Sequence, residues 1–154
     1  MKKVLFVCLG NICRSPLAQG VLEKALADTA DGHLVQVDSA ATSNYHTGDP
    51  PDPRAIAAAA RRGIDISRQR ARSVRIKDFS EFDRILAMDF ANQESLKARC
   101  PVQLHHRIAL FSHYLPGQEG APVPDPYYGA EQGFETVLDL LERGMAALLR
   151  ELNA

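Results

Sequence analysis

The junction between a short apolar run and a helix near the start of the chain constrains this fold most. Residues 4–7 read Val-Leu-Phe-Val, and they lead directly into Cys-Leu-Gly-Asn-Ile-Cys-Arg-Ser-Pro at positions 8–16. The apolar run predicts a short buried strand. Gly10 and Asn11 tolerate a left-handed backbone, which suits a tight loop. Ser15 before Pro16 is typical of a helix N-cap and first helical position, and apolar residues then recur at helical spacing.

A loop that joins a strand end to a helix start is a candidate anion site. Its backbone N–H groups turn inward, and the helix dipole adds positive potential. The same potential favours the thiolate of Cys8, which would make its sulfur a nucleophile at neutral pH. Arg14 supplies a planar fork of donors that can grip two oxygens of a phosphoryl group. The alternative is that Cys8 is a small buried hydrophobe beside an unrelated surface arginine.

The rest of the chain alternates strand and helix patterns. Repeated βα units predict parallel strands with right-handed crossovers and helices on both faces, the α/β doubly wound class. We expect one domain over residues 1–154, with a four-stranded parallel sheet in the order 2-1-3-4. The predicted strands are residues 4–7, 33–39, 84–88 and 107–111, and the predicted helices are residues 15–27, 53–62, 92–98 and 134–149. Ligands of such sheets bind beyond the carboxyl ends of the strands, where the Cys8 loop emerges.

Composition excludes several classes of partner. The net charge of −1 gives no reason to expect nucleic acid or a membrane surface as the main partner. No apolar stretch approaches the ~20 residues of a membrane span, and the N-terminal apolar run is too short for a signal peptide. The chain has three cysteines, an odd number without a disulfide pattern, which fits a reducing compartment. We therefore expect a cytoplasmic protein.

A phosphoryl-transfer site of this kind needs an acid, and Asp125 is the candidate. Expelling an aryl oxygen from a phosphate ester is slow unless that oxygen is protonated. Asp125 lies in Pro-Val-Pro-Asp-Pro at positions 122–126, where two flanking prolines restrict the backbone. The acid role requires a dianionic substrate or partial burial to favour the protonated carboxyl. Taken alone, Asp-Pro is also a common turn starter.

Two motifs of this chain resemble those of the low molecular weight protein tyrosine phosphatases. Cys-Leu-Gly-Asn-Ile-Cys-Arg-Ser-Pro at 8–16 is similar to the signature of that family, and Asp-Pro-Tyr-Tyr-Gly at 125–129 is similar to its general-acid loop. Segments 47–54, 70–72 and 82–89 also lie where the family has similar ones. The resemblance spans essentially the whole chain and implies a protein-tyrosine-phosphatase.

The resemblance implies a two-step mechanism without a metal or other cofactor. Cys8 would attack phosphorus while Asp125 protonates the leaving oxygen, and Asp125 would then activate water to release phosphate. Arg14 and the loop amides would supply the positive potential that magnesium supplies elsewhere. The implied phosphate-binding loop comprises Leu9, Gly10, Asn11, Ile12, Cys13, Arg14 and Ser15.

The resemblance also implies supporting roles within this loop. Asn11 would brace the loop and the Ser15 hydroxyl would stabilise the thiolate, although Asn11 could serve only as a turn residue and Ser15 only as a cap. Cys13 would form a reversible disulfide with Cys8 that protects the nucleophile from over-oxidation. The alternative is a packing role for Cys13.

Three tyrosines match family positions that wall the substrate crevice, namely Tyr45, Tyr127 and Tyr128. Aromatic walls suit a flat aryl phosphate, but one of these rings could instead face the core or solvent. The expected partners are tyrosine-phosphorylated proteins, with a tyrosine kinase as one candidate, and phosphate or another oxyanion in the loop. The oligomeric state is left open between a monomer and a weak dimer. Residues 61–77 hold seven basic residues and one acid, which could steer an acidic phosphoprotein or only solvate the surface.

One position departs from the family pattern. Many relatives have a histidine where this chain has Gln69, and that histidine is thought to brace the loop through Asn11 and Ser15. Glutamine can hydrogen-bond but carries no proton at neutral pH. The five histidines of the chain show no metal-ligand spacing, and we assign them no catalytic role.

Two other functions compete with the phosphatase. A thioredoxin-coupled arsenate reductase uses a similar loop but needs two further cysteines, and only Cys100 lies beyond the loop. A catalytically silent phosphoprotein-binding module would keep the loop without the chemistry. The presence of Cys8, Arg14 and Asp125 together argues against a silent module.

Overall fold

The structure, a computed structural model, describes residues 1–129 and 131–153 and is built on one parallel sheet. The strands are β1 (Lys2–Cys8), β2 (Val35–Ala41), β3 (Arg84–Ala87) and β4 (Ile108–Leu110). Their order is β2-β1-β3-β4, so the predicted α/β class and the strand order 2-1-3-4 are confirmed. β1 lies at the centre, and its residues 4–7 are fully buried because helices cover both faces of the sheet.

Within residues 1–129 and 131–153, five α-helices pack on the sheet. They are α1 (Arg14–Ala27), α2 (Pro53–Ala60), α3 (Asp78–Glu81), α4 (Phe90–Arg99) and α5 (Gln132–Leu152). One core cluster joins residues of α1, α2 and α5 to one face of the sheet, and a second joins Phe79 of α3 and Leu96 of α4 to the other face. The helices predicted at 53–62, 92–98 and 134–149 correspond to α2, α4 and α5, with ends that differ by at most three residues. The short α3 was not predicted.

Each predicted strand had at least one misplaced end, and the second and fourth are the clearest cases because 3-10 turns replace part of them. The second strand was predicted at 33–39, but residues 32–34 form a 3-10 turn and β2 runs on to Ala41. It extends because its ladder with β1 continues until Cys8 pairs with Ala41. The fourth strand was predicted at 107–111, but β4 has three residues between 3-10 turns at 102–107 and 111–114.

The prediction that Ser15 caps α1 is wrong. The helix begins at Arg14 with Cys13 at the N-cap position, and no side chain caps it. Ser15 is therefore the second helical residue, and its hydroxyl contacts two side chains rather than a backbone N–H. Pro16 is the third residue, a position whose N–H has no intrahelical partner in any α-helix.

The candidate site lies at the carboxyl ends of β1 and β3. The backbone N–H of Met88, just after β3, donates to the carbonyl of Val7. The carbonyl of Met88 in turn accepts from Val123, which brings the segment around Asp125 to the same edge of the sheet. Among the described residues, no helix is both long and apolar enough to cross a membrane.

Candidate active site

The loop from Leu9 to Cys13 turns sharply at a single left-handed residue. Asn11 has φ 59°, and among described non-glycine residues it alone has a positive φ. Gly10 is not left-handed, but a Cβ there would lie 3.1 Å from the His46 ring, so glycine permits that close approach. The backbone N–H groups of residues 10–13 donate to no other described residue, so these donors are available to an anion.

Cys8 lies at the bottom of the loop beside the Ser15 hydroxyl. The Cys8 Sγ and Ser15 Oγ atoms are 3.0 Å apart, and both residues are buried. Asn11 Nδ2 donates to the same hydroxyl oxygen at 2.8 Å, which leaves the hydroxyl proton free to point at the sulfur. The Ser15 hydroxyl is therefore placed to donate a hydrogen bond to the Cys8 sulfur.

Asn11 is itself held by three partners. Its Nδ2 also donates to Ser39 Oγ at 2.9 Å, and its Oδ1 accepts from the backbone N–H of Arg72 at 3.1 Å. The Arg72 guanidinium is fixed between Asp38 and the fully buried Asp78. The positive φ of Asn11 is therefore held by long-range contacts, including an ion pair well outside the loop.

Gln69 does not take up contacts with Asn11 or Ser15. Its Nε2 donates to the carbonyl of Pro16 at 3.1 Å, and its buried Oε1 accepts no hydrogen bond from a described residue. In this protein Ser39 is the second partner of the Asn11 amide, and Ser39 Oγ donates to Gln19 Oε1 at 2.7 Å. The Asn11 side chain is thus supported by the hydroxyls of Ser15 and Ser39. The Ser39 hydroxyl is in turn held by the Gln19 amide.

Arg14 is buried and is oriented by groups from two distant segments. Its Nη1 donates to Asp89 Oδ2 at 2.8 Å and to the carbonyl of Val123 at 3.0 Å. Asp89 also caps α4, because its Oδ1 accepts from the Asn92 backbone N–H. Arg14 Nη2 lies 3.5 Å from Asp125 Oδ2, so the predicted phosphate-binding arginine and the predicted acid share one corner of the site.

The acid loop, residues 122–129, is held against the rest of the site by Arg54. The Arg54 side chain donates to the carbonyls of Tyr127 at 2.8 Å and Gly129 at 3.2 Å. Asp52 holds Arg54 through three hydrogen bonds, and these lower the pKa of the Asp52 carboxyl below its usual range. The Asp52 backbone N–H donates to the carbonyl of Ile12, which ties this clamp to the cysteine loop.

A crevice of about 120 Å³ brings most of the predicted site residues together. Asn11 and Ser15 lie behind the loop and do not line it. Tyr127 is about one-third exposed, whereas Tyr45 is 74% and Tyr128 92% exposed, so two rings stand at the rim and face solvent. The residues that line the crevice are Cys8, Leu9, Gly10, Ile12, Cys13, Arg14, Tyr45, His46, Asp125, Tyr127 and Tyr128.

Cys13 shares the crevice with Cys8 but differs in its surroundings. Burial and the nearby Asp52 carboxylate raise the pKa of the Cys13 thiol far above its usual value. Cys13 is therefore a neutral thiol at physiological pH. Cys100 packs in the cluster on the opposite face of the sheet, and all three cysteines are free thiols.

The basic stretch at 61–77 is less available to an acidic partner protein than its composition indicates. Arg62 pairs with Glu135, Asp139 and Glu142 of α5, and Arg61 also pairs with Glu135. Arg72 is engaged by Asp38 and Asp78. Arg61, Arg62 and Arg72 therefore bind carboxylates within the protein.

Sequence reasoning did not identify Asp89, Arg54, Ser39 or His46 as site residues. Asp89 could have been found, because it follows β3 at the edge of the sheet where ligands bind. His46 lies next to Tyr45, which was predicted at the rim. Arg54 and Ser39 gave no signal of their own.

Proteins similar to this chain in sequence and in fold include members of one phosphatase family. The sequence model of the low molecular weight phosphotyrosine protein phosphatases matches residues 3–154. The human low molecular weight phosphotyrosine protein phosphatase is 43% identical over 154 residues, covering 99% of this chain and 96% of the human protein. The low molecular weight protein-tyrosine-phosphatase of Streptomyces coelicolor is 38% identical over 150 residues, covering 96% of this chain and 91% of that protein.

A solved structure agrees with these sequence matches. The protein tyrosine phosphatase of Entamoeba histolytica, crystallised with Hepes in its active site, superposes with a TM-score of 0.95. It is 39% identical, and the match covers 99% of this chain and 97% of the Entamoeba chain. The chain therefore belongs to the low molecular weight phosphotyrosine protein phosphatase family, and it is a protein-tyrosine phosphatase that hydrolyses phosphoric monoesters.

Proposed function

We propose that this phosphatase hydrolyses phosphotyrosine in proteins, and small aryl phosphates, through a cysteinyl-phosphate on Cys8. The observation that carries the proposal is the convergence of Cys8, Arg14 and Asp125 on one small crevice. The free N–H groups of residues 10–13 and the Arg14 guanidinium would bind the phosphoryl oxygens. The Ser15 hydroxyl, 3.0 Å from the sulfur, would stabilise the thiolate before attack and after the intermediate breaks down.

Asp125 is proposed as the acid of the first step and the base of the second. Its Oδ1 accepts from the Tyr127 backbone N–H at 3.1 Å, which fixes the carboxyl at the mouth of the crevice. A dianionic phosphate bound to Arg14 would compete for the guanidinium that now lies 3.5 Å from Asp125 Oδ2. The phosphate charge would then favour the protonated carboxyl, as proton donation to the leaving oxygen requires.

Phosphate release from matched peptides tests this function. We expect hydrolysis of a phosphotyrosyl peptide and of p-nitrophenyl phosphate, with little hydrolysis of the same peptide carrying phosphoserine. The crevice supports this selectivity, because the rings of Tyr45, Tyr127 and Tyr128 at its rim can contact an aryl group. A phosphoserine side chain has no ring to make these contacts. Activity should persist in excess chelator, since Arg14 and the loop amides neutralise the phosphoryl charge. Failure to release phosphate from either aryl substrate would refute the proposal.

The two competing functions are less compatible with the site. A thiol relay for arsenate reduction would need partners for Cys8 beyond the loop, but Cys100 packs on the opposite face of the sheet. A silent binding module would have no use for Asp125 beside Arg14. Turnover of p-nitrophenyl phosphate, together with the absence of thioredoxin-dependent arsenate reduction, would exclude both.

The substrates, the cellular compartment and the domain organisation are also part of this proposal. We propose tyrosine-phosphorylated proteins, with a tyrosine kinase among the candidates, as substrates and the cytoplasm as the compartment, because a reducing environment keeps all three thiols free. We also propose that residues 1–154 act as one domain. Capture of phosphoproteins from the native lysate by Asp125→Ala would identify the substrates.

Arg54 is expected to position the acid rather than to contact substrate. Replacing it with methionine removes its hydrogen bonds to the Tyr127 and Gly129 carbonyls and leaves Asp125 less well placed. We expect hydrolysis of phenyl phosphate, with its poor leaving group, to fall about tenfold more than that of p-nitrophenyl phosphate. Arg61→Met is the matched control, because the Arg61 side chain pairs with Glu135 of α5 and not with the acid loop. Equal losses for the two substrates would contradict the positioning role.

Cys13 is proposed as the redox partner of Cys8. Hydrogen peroxide would oxidise the Cys8 thiolate to a sulfenic acid with release of hydroxide, and Cys13 would then attack that sulfur, losing its proton as water leaves. We expect a dithiol reductant to restore activity fully after brief peroxide treatment of the parent protein. In Cys13→Ser the sulfenic acid would be oxidised further, so recovery should be largely lost. Cys100→Ser should recover like the parent, and full recovery of Cys13→Ser would rule out the disulfide.

A further inference from the structure

A second cleft adjoins the active-site crevice on the other side of a narrow ridge. The ridge is formed by Leu9 and Tyr45, which are 45% and 74% exposed and which line both depressions. The second cleft, which we call the flank cleft, has a volume of about 540 Å³ and lies between segment 42–45 and helix α4. It is an open depression rather than an enclosed cavity, which suits a segment of a bound peptide.

The flank cleft is joined rigidly to the cysteine loop. The backbone N–H groups of Thr42 and Ser43 donate to the carbonyls of Cys8 and Leu9 at 3.0 and 3.1 Å. Ser43 Oγ donates to the Leu9 carbonyl as well, at 2.7 Å. A group bound in this cleft would therefore lie at a fixed distance from a phosphate bound in the loop.

The charge of the flank cleft favours an anion. No Asp or Glu lines it, and its one charged lining side chain is Arg99 near the end of α4. Arg99 Nη2 donates to the Thr42 carbonyl at 2.5 Å, and the guanidinium has no carboxylate partner among the described residues. Ser95, one helical turn before Arg99, also lines the cleft and has no hydrogen-bond partner for its hydroxyl among those residues.

A buried acceptor in the same cleft lacks a donor. Asn92 lines the cleft and is only 3% exposed, and its Oδ1 accepts no hydrogen bond from a described residue. Buried polar atoms of native proteins nearly always have a partner. Asn92 Oδ1 is itself shielded from solvent, so the polar groups that the cleft offers to a bound peptide are those of Arg99 and Ser95.

We propose that the flank cleft binds an acidic side chain near the phosphotyrosine of the substrate, with Arg99 as its cation. The proposal rests on the phosphotyrosine phosphatase function and adds a preference for substrate sequence. Because an extended chain spans about 3.3–3.6 Å per residue, the acidic residue lies within a few positions of the phosphotyrosine. The ridge of Leu9 and Tyr45 places that residue on one side of the phosphotyrosine only.

A series of phosphotyrosyl peptides tests the flank cleft. In a neutral background, a single glutamate is placed at each of the three positions before and after the phosphotyrosine, and each peptide has a glutamine counterpart. We expect kcat/KM to favour glutamate by about three- to tenfold, at positions on one side only. A preference of similar size on both sides would indicate general attraction and overturn the proposal, as would the absence of any preference.

Two variants eliminate the unpaired positive charge of Arg99, one by deletion and one by pairing. Arg99→Gln deletes the charge, and Ser95→Glu places a carboxylate one turn away that pairs with Arg99. Both should reduce the glutamate preference to less than twofold while p-nitrophenyl phosphate turnover stays within about twofold of the parent. Arg143→Gln, which removes an exposed arginine of α5 outside the cleft, should keep the preference. Survival of the preference in Arg99→Gln and Ser95→Glu, or its loss in Arg143→Gln, would overturn the proposal.

The outcomes for the cleft and for the proposed function are distinguishable. If the parent hydrolyses no phosphotyrosyl peptide and no aryl phosphate, the function itself is refuted. If it hydrolyses both but ignores the flanking charge, only the flank cleft is refuted.

Discussion

Cys8→Ser is expected to abolish turnover of aryl phosphates while the protein still binds inorganic oxyanions. A serine hydroxyl is a far weaker nucleophile than a thiolate, and Asp125 of the crevice is proposed to protonate the leaving oxygen in this step rather than to activate a hydroxyl. The loss in kcat should be on the order of 10⁴-fold or more. The N–H groups of residues 10–13 and Arg14 remain, so the anion site persists.

Calorimetric titration with tungstate or phosphate supplies the control for this variant. Cys8→Ser should bind the oxyanion, which shows that the loop is folded. Cys13→Ser, a second thiol replacement in the same loop, should keep most of the turnover because its neutral thiol does not attack phosphorus. Turnover by Cys8→Ser within tenfold of the parent would contradict a nucleophilic role for Cys8.

Asp125→Asn should slow poor leaving groups far more than good ones. The asparagine keeps the shape of the side chain and can still accept from the Tyr127 N–H, but it has no acidic proton to give. For phenyl phosphate we expect kcat/KM, which reports the step in which the leaving group departs, to fall about 10²–10⁴-fold, the usual contribution of general acid catalysis. p-Nitrophenolate leaves readily without a proton, so its phosphate ester should lose much less.

The control for Asp125→Asn removes a different carboxylate near the crevice. Asp49 is exposed and pairs with His46, which lines the crevice, so Asp49→Asn makes the same change in net charge close to the site. It should leave the ratio of the two rates unchanged. Equal losses for both substrates in Asp125→Asn would remove that residue from the acid role.

The parts of the site that lie close together in sequence were predictable. Residues 8–15 run from the last residue of a buried strand to the first turn of a helix, so their proximity follows from chain connectivity. The sheet order and the position of the loop at its carboxyl edge were also correct, because parallel βα units have few arrangements.

The parts that depend on distant pairs were not predictable. Arg14 is oriented by Asp89, 75 positions away, and Arg54 clamps carbonyls 73 and 75 positions away. The position of Asp89 after β3 placed it at the ligand-binding edge of the sheet, but no local pattern indicated which residues pair across these distances. The wrong N-cap at Ser15 has a related cause, since Ser-Pro is a common helix start and the competing contact with Cys8 exists only in the folded loop.

Rapid quenching of the reaction with p-nitrophenyl phosphate, followed by mass spectrometry, is the most direct test of whether Cys8 is the nucleophile. Asp125→Asn should accumulate the intermediate if its breakdown is slowed as well, because the base of the second step is missing. We expect a phosphate attached to Cys8, on the peptide that contains the loop. Phosphate found on another residue, or a burst of p-nitrophenol without phosphate on Cys8, would contradict it.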